Sequence, residues 1–182
     1  EEQEEAYQGR EFYHEGNLLY ISEEYGLALE KYNKASESLT TFAPLFYCRG
    51  SANLKLKKSL DAIQDFNRSI SLDSTYEPNY FKKGLALFEL EEYESAKDAF
   101  ENSKQMRVQS EKDISLNSRW IRKCEVEIAE EQNALNLKAK KAPAQPVSAT
   151  TPVPTTAVPA SQPKPAPPRT VAPEIKYQYY QS

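Results

Sequence analysis

The sequence predicts an all-α protein in which three helix pairs stack into a right-handed α-solenoid. Three glycines, Gly16, Gly50 and Gly84, stand 34 residues apart. An alanine follows each glycine at a fixed distance, and an aromatic residue follows each alanine four positions later. A repeat of this length with alternating small and large side chains is typical of helix–turn–helix units, which bury their cores by stacking on their neighbours.

The recurring residues suit two closely packed helices. The alanines are Ala28, Ala62 and Ala96, and the aromatic residues are Tyr32, Phe66 and Phe100. Small side chains on facing helices allow the two axes to approach at the short end of the usual separation of about 8–10 Å. We expect the glycines and alanines to face each other, with the aromatic rings filling the space toward the next pair. This is the pattern of the tetratricopeptide repeat.

The repeat register places six helices in three pairs. The predicted ranges are 2–21 with 24–38, 44–56 with 59–71, and 78–90 with 93–105. Pro44 and Pro78 fit the first turn of a helix, where the missing N–H leaves no helical hydrogen bond unmade. Asp73 and Ser74 indicate a turn between the second and third pairs.

A seventh helix is predicted to cap the stack. Leu116, Trp120, Cys124 and Ile128 recur every four residues and make one apolar stripe. The last unit of a repeat array needs such a cap, whose outer face is polar. We therefore interpret Trp120 as a core anchor, and we expect the repeat domain with its cap to span residues 1–139.

The composition changes after the cap. Residues 142–173 hold ten of the twelve prolines and neither an acidic nor an aromatic residue. Such a segment buries too little apolar surface to offset the entropy of ordering, so we expect a disordered linker rich in Pro, Ala and Thr. Within residues 174–182, the run from Ile175 to Tyr179 then alternates apolar and polar positions, which indicates a β-strand. We interpret residues 174–182 as the first strand of a truncated β domain.

Composition and charge exclude several functions for this 182-residue chain. Its formal net charge is −4, and the acidic residues are concentrated in residues 1–139, which argues against nucleic-acid binding. No apolar run is long enough to span a membrane. One His and two Cys without metal-ligand spacing, and no Gly-rich phosphate loop, predict neither catalysis, nor a metal, nor a cofactor.

The order of these segments resembles a co-chaperone family called suppressor of the G-two allele of Skp. The resemblance is carried by the three repeats, the string WIRKCEVEI at 120–128, the Pro-rich linker, and KYQYYQ at 176–181. Members of this family carry tetratricopeptide repeats, then a CS domain (a p23-like β-sandwich), then an SGS segment. The resemblance covers essentially the whole chain and identifies residues 174–182 as the opening of the CS domain.

The resemblance implies an adaptor in the cytoplasm and nucleus. Family members link heat-shock protein 90 to client complexes, which include Skp-type adaptors of cullin ubiquitin ligases, kinetochore factors and immune receptors. The CS domain makes the main chaperone contact, so a Skp-type adaptor is the expected partner of the repeats. Some members dimerise through the repeats, so a homodimer is a further alternative for this chain.

An alternative is a receptor for the C-terminal Glu-Glu-Val-Asp tail of heat-shock chaperones, as found in prolyl isomerases and phosphatases that carry these repeats. Such a clamp holds two carboxylates with Lys and Asn, then Asn, then Lys and Arg on the inner helices. The residues at these positions are Tyr13 and Asn17, then Cys48, then Pro78 and Lys82. Because only Asn17 matches fully and Lys82 in part, we expect no clamp.

The inner helices instead predict an aromatic docking groove. Aromatic side chains edged by a few cations are the composition of interface hot spots. The predicted groove residues are Arg10, Tyr13, Asn17, Tyr20, Tyr47, Leu54, Lys55, Phe81, Lys82 and Phe88. The competing interpretation is that these rings only pack between helices, and the sequence leaves both interpretations equally open for any one ring.

Overall fold

The computed structural model describes residues 2–110 and 112–141, and in this part of the chain every regular element is a helix. The helices are α1 (Glu2–Ile21), α2 (Tyr25–Ser38), α3 (Ala43–Lys55), α4 (Ser59–Leu72), α5 (Pro78–Glu89), α6 (Tyr93–Gln109) and α7 (Ser115–Lys141). The predicted all-α class is therefore confirmed. The linker expected at 142–173 and the strand expected at 174–182 lie outside the described residues.

Each helix packs mainly on the helices directly before and after it in the chain, as expected for a stack of repeats. The first helices of the three pairs also touch each other, because α3 contacts both α1 and α5. These three inner helices form one continuous layer. Side chains from all three repeats can therefore meet on it.

The repeated glycines lie directly beneath the repeated aromatic rings. A Cβ atom added at Gly16 would lie 2.6 Å from Cε1 of Tyr32, and one added at Gly84 would lie 2.7 Å from Cε1 of Phe100. The repeat pattern predicts that each glycine faces an alanine, but in the structure the glycine faces the ring. The ring also reaches the following pair, since Tyr32 is clustered with Leu45 and Ala52 of α3.

The turns within the three pairs share one backbone geometry. Glu23, Lys57 and Glu91, again 34 residues apart, have φ of 63°, 61° and 63°. The next residue after each donates its backbone N–H to a carbonyl five positions back, for example from Glu24 to Leu19 at 2.9 Å. This is the Schellman ending of a helix, which glycine usually supplies. Here charged residues adopt the left-handed conformation instead.

Two serines of the repeat join consecutive pairs by hydrogen bonds. The Ser69 hydroxyl donates to the backbone carbonyl of Ala43 at 3.0 Å and accepts from the side-chain amide of Asn79 at 2.9 Å. One repeat later, the amide of Asn117 donates to the Ser103 hydroxyl at 2.7 Å and so ties α7 to α6. These positions therefore need a hydroxyl as well as a small side chain.

The cap closes the end of the stack with an indole ring. Trp120 stacks on Phe100, with ring centroids 5.6 Å apart and planes 22° from parallel. It also meets Phe88 in an edge contact at 5.3 Å. Ile121 and Cys124 of α7 are buried in the same cluster. Trp120 thus packs as the predicted core anchor.

Candidate functional site: a tyrosine pocket on the inner helices

The inner helices form a pocket of about 330 Å³ near the N-terminal end of the stack. We call this site the tyrosine pocket, and all three repeats contribute to its lining. The lining residues are Asn17, Tyr20 and Ile21 from α1, Tyr32 from α2, Tyr47, Cys48 and Ser51 from α3, and Lys82 from α5.

Helix geometry and the repeat period together assemble this pocket. Asn17, Tyr20 and Ile21 are spaced i, i+3 and i+4, so they share one face of α1. The lining residues of α3 are spaced i, i+1 and i+4, and Ser51 lies one turn from both Tyr47 and Cys48 on the same face. Cys48 and Lys82 are 34 residues apart and hold equivalent positions on neighbouring inner helices. The stacking of the repeats therefore brings them to one site.

Tyrosine hydroxyls bind the polar groups at the base of the pocket. The Tyr32 hydroxyl donates to Oδ1 of Asn17 at 2.9 Å. The Tyr13 hydroxyl lies 3.7 Å from Sγ of Cys48. Burial raises the pKa of both Tyr32 and Tyr47, so these phenols remain protonated donors.

The Cys48 thiol, which lines the pocket, has low reactivity. Burial raises the pKa of Cys48, and this effect outweighs the opposing effects of the hydrogen bond from the Tyr13 hydroxyl and of the Lys82 charge. A thiol with a raised pKa has little thiolate, which is the reactive form. Cys48 is therefore a packing and weakly hydrogen-bonding group rather than a nucleophile. Among the described residues, no group of His, Cys, Asp and Glu could hold a metal ion.

Lys82 supplies the charge of the pocket. Its side chain is half-buried, and its ammonium lies 5.5 Å from the centroid of the Tyr47 ring, in cation–π range. No carboxylate of the described residues forms a salt bridge with it. Burial lowers the pKa of Lys82, and the like charge of Lys55 lowers it further. The pocket is therefore positive, walled by aromatic rings and suited to an anionic group.

The structure brings together four of the ten predicted groove residues: Asn17, Tyr20, Tyr47 and Lys82. Tyr13 lies beside the pocket and meets Phe42 in an edge contact at 5.2 Å. Arg10 is exposed on α1 and does not line the pocket.

The remaining predicted residues lie in packing contacts elsewhere. Leu54 packs against the cluster of Ala62, Phe66 and Ala86. The Lys55 ammonium lies 5.7 Å from the centroid of the Tyr25 ring.

Phe81 and Phe88 lie at the C-terminal end of the inner face. Phe81 makes an edge contact with Phe100 at 5.3 Å. Phe88 lies against Tyr93 and Trp120, and the Lys123 ammonium is 4.5 Å from its ring centroid. The cap therefore covers the part of the predicted groove around Phe88.

Four pocket residues were not among those predicted: Ile21, Tyr32, Cys48 and Ser51. In the sequence, Cys48 stands at a clamp position that lacks an amide donor, and Tyr32 is one of the repeat aromatics. The signal for Ile21 and Ser51 was present, because each stands four residues after a predicted groove residue on the same helix.

The repeat, the helix pairs and the inner face define the class of protein as an all-α tetratricopeptide-repeat solenoid. Residues 78–107 match the family described as "Tetratricopeptide repeat". A solved structure described as the first TPR of Spaghetti (RPAP3) bound to the HSP90 peptide SRMEEVD superposes with a TM-score of 0.63. It is 24% identical, and the match covers 68% of this chain and 95% of that one, so this likeness shows the fold.

Among proteins of this class, the chain is similar to SGT1 homologs, the family predicted from the sequence. It is 32% identical to the "Protein SGT1 homolog" of Oryza sativa subsp. japonica over 119 residues, which are 65% of this chain and 31% of that protein. It is 40% identical to the homolog of Dictyostelium discoideum over 60 residues, which are 33% of this chain and 16% of that protein.

These two likenesses confirm the predicted resemblance. The chain spans about a third or less of the length of these relatives. The CS and SGS domains therefore stay predictions. In the described part of the chain, no helix is both long and apolar enough to cross a membrane.

Proposed function

We propose that this chain is a non-enzymatic adaptor whose repeat domain docks a protein partner in the tyrosine pocket. The observation that carries the proposal is Lys82, a half-buried cation with no acidic partner among the described residues. It lies beside Tyr20 and Tyr47 in a pocket to which three repeats contribute. Buried aromatic residues with one or two cations are the usual centre of an interface.

The similarity to SGT1 homologs supports a finer proposal, that of a co-chaperone scaffold in the cytoplasm and nucleus. In this proposal the repeats bind a Skp-type adaptor of a cullin ubiquitin ligase. A CS domain beginning near residue 174 contacts heat-shock protein 90, and kinetochore factors or immune receptors are further clients. Homodimerisation through the repeats would compete for the same surface.

The direct test measures the affinity of a purified Skp-type adaptor for the 182-residue chain by calorimetry. Tyr20→Ala should weaken binding at least tenfold, since an aromatic hot spot is worth about 2 kcal/mol. The matched control is Phe88→Ala, which removes a ring at the equivalent position of the third repeat, next to the cap. Phe88→Ala should leave the affinity unchanged at a temperature where both variants are folded.

Sedimentation of the same samples separates docking from self-association. A Tyr20→Ala chain that binds as tightly as the wild type rules out the tyrosine pocket as the docking site. A wild-type chain that binds no Skp-type adaptor rules out that partner. A wild-type dimer that Tyr20→Ala converts to a monomer assigns the pocket to self-association instead.

A chaperone-tail receptor is the second candidate, because three clamp positions, Asn17, Cys48 and Lys82, line the same pocket, and Asn17 and Lys82 carry donors of the clamp type. Cys48 stands where the clamp needs an amide donor. Cys48→Asn should therefore tighten the binding of the peptide SRMEEVD about fivefold, which is the worth of one hydrogen bond of about 1 kcal/mol. Micromolar binding of this peptide to the wild-type chain would overturn our preference for the scaffold.

A further inference from the structure

We infer that the segment docked in the tyrosine pocket places a single carboxylate on Lys82 and an apolar side chain beside it, as an internal Asp or Glu of a partner protein would. This inference rests on the proposed function and specifies the chemistry of the docked segment. It differs from the chaperone tail, which presents two carboxylates at a chain end.

The first step concerns the missing negative charge. A buried or half-buried ammonium without a counter-ion is unfavourable, because the protein dielectric replaces water without supplying an opposite charge. The largest effect of a neighbouring charge on the pKa of Lys82 comes from another cation, Lys55, which lowers it. The remaining lining residues are Tyr, Asn, Ile, Cys and Ser, all of them uncharged. Since no described lining residue supplies an anion, we assign the anion that completes the site to the ligand.

The second step concerns the number of carboxylates. Lys82 is the one lining residue that carries a positive charge. Asn17 has its amide oxygen engaged by the Tyr32 hydroxyl, which leaves its NH₂ group as a neutral donor. Cys48 offers at most a weak S–H donor. One ammonium and one amide can satisfy one carboxylate, whereas two carboxylates need several convergent cations or amides.

The third step concerns the neighbouring side chain of the ligand. Tyr20 and Tyr47 present aromatic surface, and Ile21 lines the same pocket although it is 77% exposed. An exposed isoleucine at the mouth of an aromatic pocket gains from burial by an apolar ligand group. A pocket of about 330 Å³ lies at the small end of the ligand-site range. It therefore suits one or two side chains rather than a long tail.

A chemical double-mutant cycle tests the inference. The probes are 4-phenylbutyrate, which has one carboxylate beside an apolar ring, and its neutral analogue 4-phenylbutanamide. Their dissociation constants are measured by NMR titration against the wild-type chain and against Lys82→Met, which keeps the apolar stem of the lysine. The wild type should bind the carboxylate about tenfold tighter than the amide, and Lys82→Met should bind the two probes equally.

The matched control is Lys83→Met, the adjacent lysine on α5, which lines a different pocket with Ile63 and Leu87. It should retain the tenfold preference of the wild type for the carboxylate. A Lys82→Met chain that keeps this preference overturns the inference, as does a wild-type chain that binds neither probe at millimolar concentration. Adaptor docking is measured separately through Tyr20→Ala. If the wild-type chain binds the carboxylate and the amide equally but Tyr20→Ala weakens adaptor binding, the inference fails and the proposed function stands. If the carboxylate is preferred but Tyr20→Ala does not weaken adaptor binding, only the proposed function fails.

Discussion

The two ends of the inner face carry aromatic rings at equivalent repeat positions but use them differently. Tyr20 near the N-terminal end lines an open pocket, whereas Phe88, at the same position two repeats later, lies against Trp120 of the cap. Tyr47 and Phe81, which lie two turns earlier on their helices, do not show this contrast, because each contacts the repeat aromatic of its own pair. The repeat register sets where a side chain points. The next helix in the stack decides whether that side chain is covered.

The chemistry of the rings follows this difference. The open end has tyrosines, whose hydroxyls need a hydrogen-bond partner or water, and the covered end has phenylalanines, which need neither. The repeat aromatics agree, because Tyr32 gives its hydroxyl to Asn17 while Phe100 is sealed beneath Trp120. At equivalent repeat positions, a tyrosine therefore indicates the open end and a phenylalanine indicates the covered end.

The largest effect is expected at the covered end. Trp120→Ala removes a ring that packs on both Phe88 and Phe100, so the free energy of unfolding should fall by about 3 kcal/mol. Urea denaturation followed by circular dichroism measures the change. Val126→Ala on the same helix is the control, because Val126 is 51% exposed and its loss should stay within about 0.5 kcal/mol.

This substitution also tests whether the two ends are independent. Stability in a repeat stack is carried by contacts between neighbours. Trp120→Ala should therefore leave the carboxylate preference at Lys82 unchanged while the domain is folded. A loss of stability below 1 kcal/mol would mean that Trp120 does not close the covered end.

A smaller effect on stability is expected when the repeat glycine at each end is replaced by alanine, and its size should differ between the two ends. Gly84→Ala forces a Cβ atom against Phe100, which is fixed beneath Trp120, and should cost about 2–3 kcal/mol. Gly16→Ala meets Tyr32, which is also buried but borders the open pocket, so we expect its ring to tilt into that space and the cost to be about 1 kcal/mol. The measurement is the unfolding free energy of each variant.

Gly26→Ala is the control for both, because nothing lies within 4 Å of an added Cβ at this position. It should stabilise the protein by up to about 1 kcal/mol by restricting the unfolded chain. Equal costs at Gly16 and Gly84 would contradict the idea that the Tyr32 ring can move into the pocket.

The sequence predicted the parts of the fold that depend on the repeat period. The start of α4, α5 and α6 matches the predicted ranges, because the register fixes those residues. The Schellman turns were missed, since Glu23, Lys57 and Glu91 replace the glycine that would have indicated them. The prediction ended α6 at residue 105, whereas the helix continues to Gln109.

The candidate site was predicted only in part, for a physical reason. Spacing on one helix identified Asn17 and Tyr20, because that information is local. The coverage of Phe88 depends on its contact with Trp120, which lies on the capping helix. No period within one helix carries that information.

The smallest expected effect concerns the free-energy cost of burying the Lys82 ammonium, which lies at the open end. The pKa of Lys82 is lowered in the folded chain by burial and by Lys55, so folding disfavours its protonated form. This cost is fully present below the folded pKa and disappears as the pH rises through the ordinary lysine value of about 10.4. Lys82→Met should therefore raise the unfolding free energy by about a few tenths of a kcal/mol at pH 7, and the gain should shrink toward alkaline pH. Urea denaturation at pH 7 and at a pH near the ordinary lysine pKa measures the change in unfolding free energy. Lys83→Met is the control for the loss of one positive charge. A gain that is equal at both pH values, or a loss at pH 7, would mean that Lys82 is already neutralised within the protein, and the case for an anionic ligand would fail with it.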